Sequence, residues 1–178
     1  MSHTTVLFVH LPYDAPDSPQ SRALRALAAR VARPAAPPLY LVGGYTHDDF
    51  DTDNLPLAVA RAVRAEHQAR TDTAMARQLQ AHVAALAAKQ VAVTPLLRVG
   101  TPHTVLAQVA SELNATLVLV GTAPAHQGFS IALGGTYEAL QAALPCPVRY
   151  AIPPAANGTT GRKQGRSTPA RVWRRQAA

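Results

Sequence analysis

The chain has 178 residues, which is enough for one domain with a substantial core and too few for two ordinary ones. Hydrophobic residues make up 48% of it, yet no apolar run approaches the roughly 20 residues of a transmembrane helix, so no membrane span is predicted. The first residues lack the charged and apolar regions of a signal peptide, and Cys146 is the only cysteine, which excludes an intramolecular disulfide. Together these features predict a cytoplasmic protein.

The charge is unevenly distributed. Lys and Arg number 17 against 10 Asp and Glu, a formal net charge of +7. Six of the basic residues and none of the acidic ones follow Pro153, in a segment rich in Gly, Ser, Thr and Gln. The body of the protein is therefore close to neutral. We predict one domain over residues 1–153 and a basic, disordered tail over residues 154–178.

Strand and helix patterns alternate along the domain. Apolar residues at helical spacing, β-branched runs and turn-forming clusters separate the elements. Five strands are predicted, at Thr5–His10, Leu39–Val42, Val91–Val99, Thr116–Val120 and Cys146–Ile152, and Gly43 and Gly44 close the second of them. The helices between them are predicted at Ser21–Arg33, at Pro102–Leu113 with Thr101 as its cap, and at Tyr137–Leu144. The segment between Pro56 and Lys89 is predicted to form either one long helix or a short helix followed by a longer one.

This alternation predicts an α/β fold with a parallel sheet and right-handed crossovers. The uninterrupted apolar run Thr116–Val120 is typical of a central parallel strand that is buried on both faces.

Three segments carry a family resemblance. They are Asp17–Leu24 after the first strand, Gly100-Thr101-Pro102 continuing through Gly121, and Leu133-Gly134-Gly135-Thr136 followed by Pro145–Val148. In this order they resemble the universal stress protein (UspA-type) family over about residues 5–152. The resemblance implies an open five-stranded parallel sheet of order 3-2-1-4-5 with helices on both faces, of the adenine nucleotide alpha hydrolase-like kind.

In that strand order the first and fourth strands are neighbours whose connections leave in opposite directions. Open α/β sheets bind ligands at such a switch point, beyond the carboxyl ends of the strands. The two loops there cover residues 11–19 and 121–135. We therefore expect any small-molecule site to lie between these two loops.

The second of these loops contains part of a nucleotide-binding motif. Nucleotide-binding members of the family carry G-x2-G-x9-G-[ST], in which glycines let backbone amides approach phosphate and the following helix presents free N–H groups. Gly121 matches the first position, but Pro124 or Ala125 stands at the second glycine. Gly135-Thr136 ends the motif only if the loop is one residue longer, with Gly128 displaced inside it. The motif is thus degenerate.

The first loop departs from the family pattern as well. Nucleotide binders of the family usually have an aspartate directly after the first strand, where this chain has His10, with Asp14 and Asp17 further along. The alternatives are an ATP- or AMP-binding site and glycines that only connect a strand to a helix. The candidate contacts implied by the resemblance are His10, Pro12, Asp14, Val42, Gly121, Gly128, Gly135 and Thr136.

Catalytic signatures are not evident in the sequence. Neither S-G-G-x-D-S nor H-x-G-H occurs near the first strand, and the seven histidines form no helical i, i+4 pair or His/Cys cluster. We therefore expect no metal and no enzyme activity, with weak ATP hydrolysis left open. Cys146 is expected to pack as a small apolar group.

The leading hypothesis is a stress-response or signalling protein that acts by binding. The resemblance implies a homodimer paired through Val148–Ile152, a plausible exposed edge strand. An adenine-nucleotide-binding protein of the same fold is the first alternative. The second is a protein that associates with nucleic acid through its basic tail, since each cation there can displace a counterion from a phosphate chain.

Overall fold

A computed structural model describes residues 4–32, 38–47, 52, 54–121, 141–151 and 153. Within them the elements follow in the order β1 (Thr5–His10), α1 (Pro19–Val31), β2 (Leu39–Tyr45), α2 (Leu57–Ala87), β3 (Thr94–Val99), α3 (Pro102–Glu112), β4 (Leu117–Gly121) and β5 (Val148–Ala151). Residues 141–143 are helical and precede β5. No described helix combines the length and the apolar character needed to cross a bilayer.

The five strands form one sheet in the order β3-β2-β1-β4-β5, and every neighbouring pair is parallel. This confirms the predicted topology. β1 lies at the centre, with Phe8 opposite Val42 of β2 on one side and Val120 of β4 on the other. The carboxyl ends of β1 and β4 are therefore adjacent, as a switch point requires.

Helices cover both faces of the sheet. Alternate residues of a strand point to opposite faces, so Leu7 and Val9 of β1 pack beneath α1 and α2, whereas Val6 and Phe8 pack against α3. Along the sheet, α1 lies over β4 and β5, and α2 lies over β2 and β3. Cys146 is buried in the α3-side core, as expected for a small apolar group.

The second strand is longer than the sequence indicates. Gly43 and Gly44 continue β2 to Tyr45 instead of closing it. A Cβ on Gly44 would lie 2.7 Å from Cε2 of Phe8, and one on Gly43 would lie 2.9 Å from Cδ1 of Leu11. The glycines are thus required because large side chains of the first strand and its loop lie against them, and not because the chain turns there.

Several other boundaries differ from the predictions. α1 begins at Pro19 rather than Ser21, and β4 spans Leu117–Gly121 rather than Thr116–Val120. The segment from Pro56 onward forms one helix of 31 residues, which decides between the two alternatives. β3 begins at Thr94 rather than Val91, because Val91 donates its N–H to the Leu86 carbonyl and so still belongs to the end of α2. Thr101 is the N-cap residue of α3, yet its hydroxyl bonds Thr104 Oγ1 and no backbone amide.

Candidate functional site

The switch point is built from the end of β1, the start of α1 and the end of β4. α1 begins next to β4: a Cβ on Gly121 would lie 3.3 Å from the carbonyl oxygen of Gln20. The Ser18 hydroxyl accepts the Ser21 N–H, which satisfies one of the free amides of the first helical turn. Gly121 is therefore placed where backbone from two elements approaches closely.

The loop after β1 folds back on its own strand. His10 donates its N–H to the Asp14 carboxylate at 2.7 Å, and Asp14 donates its N–H to the His10 carbonyl at 2.8 Å. These reciprocal bonds close a tight loop that contains a cis peptide bond between Leu11 and Pro12. The Asp14 carboxylate therefore holds the loop together. Burial raises the pKa of Asp14, and the His10 N–H opposes that shift.

Side chains of helix α2 donate hydrogen bonds to the same loop. Gln78 donates its amide to the Pro12 carbonyl at 3.0 Å, and His82 Nε2 donates to the Asp14 carbonyl at 2.7 Å. From α1, Arg25 donates to the carbonyl of Pro16. His82 is 2% exposed, and burial lowers its pKa, so it is held neutral with its proton on Nε2. Three carbonyls of the loop are thus bonded within the protein.

His10 presents an imidazole at the end of β1. Burial lowers its pKa, and its Nδ1 is buried with no hydrogen-bond partner among the described residues. Its ring contacts the ring of Tyr13, with 4.7 Å between the two centroids, and the Tyr13 side chain is 74% exposed. The neutral ring offers a ligand fewer hydrogen-bond sites than a carboxylate, which has about four lone-pair positions.

The predicted site residues are only partly brought together. His10, Pro12, Asp14 and Gly121 lie around the switch point. Val42 is fully buried in the α3-side core, and the β2 residue level with His10 is Gly44. Gly128, Gly135 and Thr136 lie outside the described residues, as do Pro124 and Ala125. Their roles stay predictions.

Sequence reasoning missed His82 and Gln78. They contact the first loop from positions 64 to 68 residues away along the chain. The only available signal was a histidine on the apolar side of α2, in the same stripe as Leu79 and Leu86.

A second polar cluster, Tyr45, His47 and Asp72, joins the end of β2 to the middle of α2. Tyr45 Oη donates to Asp72 Oδ1 at 2.6 Å, and His47 Nε2 donates to the same oxygen at 2.7 Å. These hydrogen bonds, from Tyr45 first, lower the pKa of Asp72. Desolvation by burial, followed by the bond to Asp72, raises the pKa of Tyr45. This cluster anchors α2 to the sheet beside the site.

Metal chemistry finds no support in the described part of the chain. No group of three or more His, Cys, Asp or Glu side chains converges there. His47 Nε2 bonds Asp72, and the two aspartates that follow His47, Asp48 and Asp49, lie outside the described residues.

Solved structures share this architecture. A universal stress protein UspA from Lactobacillus plantarum is 18% identical, with a TM-score of 0.53 over 85% of this chain and 99% of that one. A universal stress protein in complex with cAMP is 17% identical, with a TM-score of 0.54 over 85% and 98% of the two chains. One from Archaeoglobus fulgidus in complex with dAMP is 16% identical, with a TM-score of 0.50 over 83% and 96%. At these identities the likeness shows the fold.

The family itself is shown by sequence. No curated protein matches the chain. The family model described as "Universal stress protein family", however, matches residues 9–149, a range that runs from the end of β1 into β5 and includes the whole switch point. The chain belongs to the universal stress protein family.

Proposed function

We propose that the protein is a non-enzymatic stress-response or signalling protein that acts by binding, and that its switch-point cleft holds adenine nucleotides only weakly. The observation that carries this proposal is the bonding of Asp14. Its carboxylate, the nearest one to the end of β1, accepts the His10 N–H and closes the first loop. One of its two oxygens is therefore engaged within the protein.

A ligand would find little free charge at the end of β1. His10 stands where the family pattern has an aspartate, and its lowered pKa keeps the ring neutral near pH 7. A neutral imidazole attracts phosphate less than a cation does, and it accepts fewer ribose hydroxyls than a carboxylate. Nucleotide binding is therefore weak, because the end of β1 offers neither a cation for the phosphate nor a carboxylate for the ribose hydroxyls.

An adenine-nucleotide-binding protein is the second candidate. Similar structures were solved with cAMP and with dAMP. Gly121, the first glycine of the degenerate motif, lies at the carboxyl end of β4 beside the start of α1. The two candidates differ in affinity, which makes them separable by experiment.

Calorimetric titration of the full chain with ATP, ADP and AMP tests the proposal. We expect dissociation constants of about 1 mM or weaker, corresponding to about −4 kcal/mol, and no turnover of ATP. Saturation at micromolar concentration would instead establish the nucleotide-binding candidate.

A matched pair of variants tests the role of His10. His10→Asp restores the carboxylate of the family pattern, and we expect it to tighten AMP binding at least fivefold. His10→Asn keeps the position neutral and polar, and should leave AMP binding unchanged. Equal affinities for the two variants would show that His10 does not set the affinity.

A further inference from the structure

A buried imidazole of α2 lies against the first loop of the switch point. His82 is 2% exposed, and its Nε2 donates to the Asp14 carbonyl at 2.7 Å. The loop itself buries little, since Pro12, Tyr13 and Asp17 are all exposed. A segment with so few buried contacts opens at a lower cost than the core does. The position of the loop therefore depends on the side chains that bond it from outside.

Arg25 of α1 is a second buried donor to this loop. It is 8% exposed and donates to the Pro16 carbonyl. Within the described residues its guanidinium forms no ion pair. Its charge reaches His82, where it disfavours a second positive charge. Two helices thus supply one donor each to the loop, of which the guanidinium is always charged and the imidazole can become charged.

The loop and the first strand supply no free negative charge to His82. The Asp14 carboxylate accepts the His10 N–H at 2.7 Å, and only the Asp14 carbonyl bonds the imidazole. Burial raises the pKa of the Asp14 carboxyl and lowers that of His10. Burial also lowers the pKa of His82, the bond to the Asp14 carbonyl opposes this shift, and the Arg25 charge adds to it.

Helix α2 supplies no compensating charge either. Its acid nearest to His82 in sequence is Asp72, ten residues away, which bonds Tyr45 and His47. Arg77 is exposed. The buried stripe around His82 on this helix is otherwise apolar.

We propose that proton uptake by His82 releases loop residues 12–17, so that the shape of the switch-point cleft depends on acidity. An imidazolium in this site would be a second cation near Arg25, in a place almost closed to water, and a buried charge without a partner is costly. Water can surround the ring only when the loop moves away. The release is local because β1 beneath the loop is buried along its length.

The direction of the pH effect follows from the two positions of the loop. With the loop in place, the pKa of His82 lies below its ordinary value of 6.5. With the loop released, the ring meets water and its pKa returns toward that value. The loop is therefore held in place above about pH 6.5 and is progressively released as the pH falls toward the lower pKa.

Amide hydrogen exchange in the full chain, followed by NMR, tests the proposal. The Asp14 N–H, which bonds the His10 carbonyl at 2.8 Å, reports on the loop, and the Phe8 N–H reports on the sheet. His82→Gln keeps a side-chain donor that cannot take up a proton. His103→Gln, in α3 on the other face of the sheet, is the matched control. Exchange is expressed as a protection factor, which removes the intrinsic dependence of exchange on pH.

Between about pH 7 and pH 5 the protection of the Asp14 N–H should fall about tenfold in the parent protein and in His103→Gln. The midpoint of the fall should coincide with proton uptake by the His82 ring, observed in the same samples. Phe8 should keep its protection, and the fall should be absent in His82→Gln.

Three results would overturn the proposal. A fall of the same size in His82→Gln would show that His82 does not cause it. An equal fall at Phe8 would mean that the whole domain unfolds rather than the loop. In the parent protein alone, a midpoint that differs from the His82 titration, or no fall at all, would separate the loop from this histidine.

Discussion

The two ends of α2 differ in almost every contact they make. Its carboxyl-terminal end, residues 78–87, buries Leu79, His82 and Leu86 and bonds the loop at the switch point. Its amino-terminal end is exposed, with Leu57 at 68% and Val59 at 46%. A helix of 31 residues is about 46 Å long, so one continuous element both holds the site and extends away from the packed core. Substitutions along it should therefore differ widely in effect.

The largest effect is expected at the packed end. Leu86 is 1% exposed, and Leu86→Ala should lower the free energy of unfolding by about 2–5 kcal/mol through lost burial and a cavity. Leu57→Ala at the exposed end should change it by less than about 0.5 kcal/mol. Urea denaturation of both variants measures the difference. Equal losses would show that the amino-terminal end is also packed in solution.

A pH-dependent effect is expected at His82. Its pKa is lowered in the folded protein, chiefly by burial, so the unfolded chain takes up a proton first as the pH falls through about 6.5. Stability from this residue is complete above that pH and is lost below it. His82→Gln should therefore flatten the decline in unfolding free energy between about pH 6.5 and the lower folded pKa.

Other groups near His82 also titrate or carry charge. Arg25 from α1 contributes a charge that lowers the pKa of His82. His10 has a lowered pKa, and its contribution has the same sign as that of His82. Asp14 has a raised pKa and contributes stability that is lost as the pH rises above its ordinary value of 3.8. A decline that is identical in His82→Gln and the parent protein would show that His82 does not cause it.

The smallest of these effects is expected in the middle of α2. Asp72→Ala removes the acceptor shared by Tyr45 and His47, and should cost about 0.5–1 kcal/mol because the carboxylate is half exposed and water can replace it. In the double variant that combines Asp72→Ala with Tyr45→Phe, most of that cost should disappear, because no Tyr45 hydroxyl is left without its acceptor. A double-mutant cycle in urea measures the coupling. Additive losses would show that the bond between Tyr45 and Asp72 is absent in solution.

Most of the fold could be predicted from local sequence. Thr5–His10 is a strand with the predicted bounds, and the alternation of elements gave the parallel sheet. Pro102 begins α3 as expected. These features depend on periodicity and on turn chemistry, which short segments carry in full.

The site was less predictable because its contacts join distant segments. The roles of His82 and Gln78 depend on α2 crossing the sheet beside the first loop, which no local pattern encodes. Asp14 could be named as a candidate, but its use as an intramolecular acceptor depends on how the loop closes.

Gly44 and Phe8 have a consequence for how the sequence can change over time. Because a Cβ at position 44 would overlap the Phe8 ring, the two positions share one volume. A side chain can enter at position 44 only when the residue at position 8 becomes smaller, so the two should vary together across related sequences. Two positions that are 36 residues apart thus constrain each other in evolution, across neighbouring strands near the carboxyl end of the sheet.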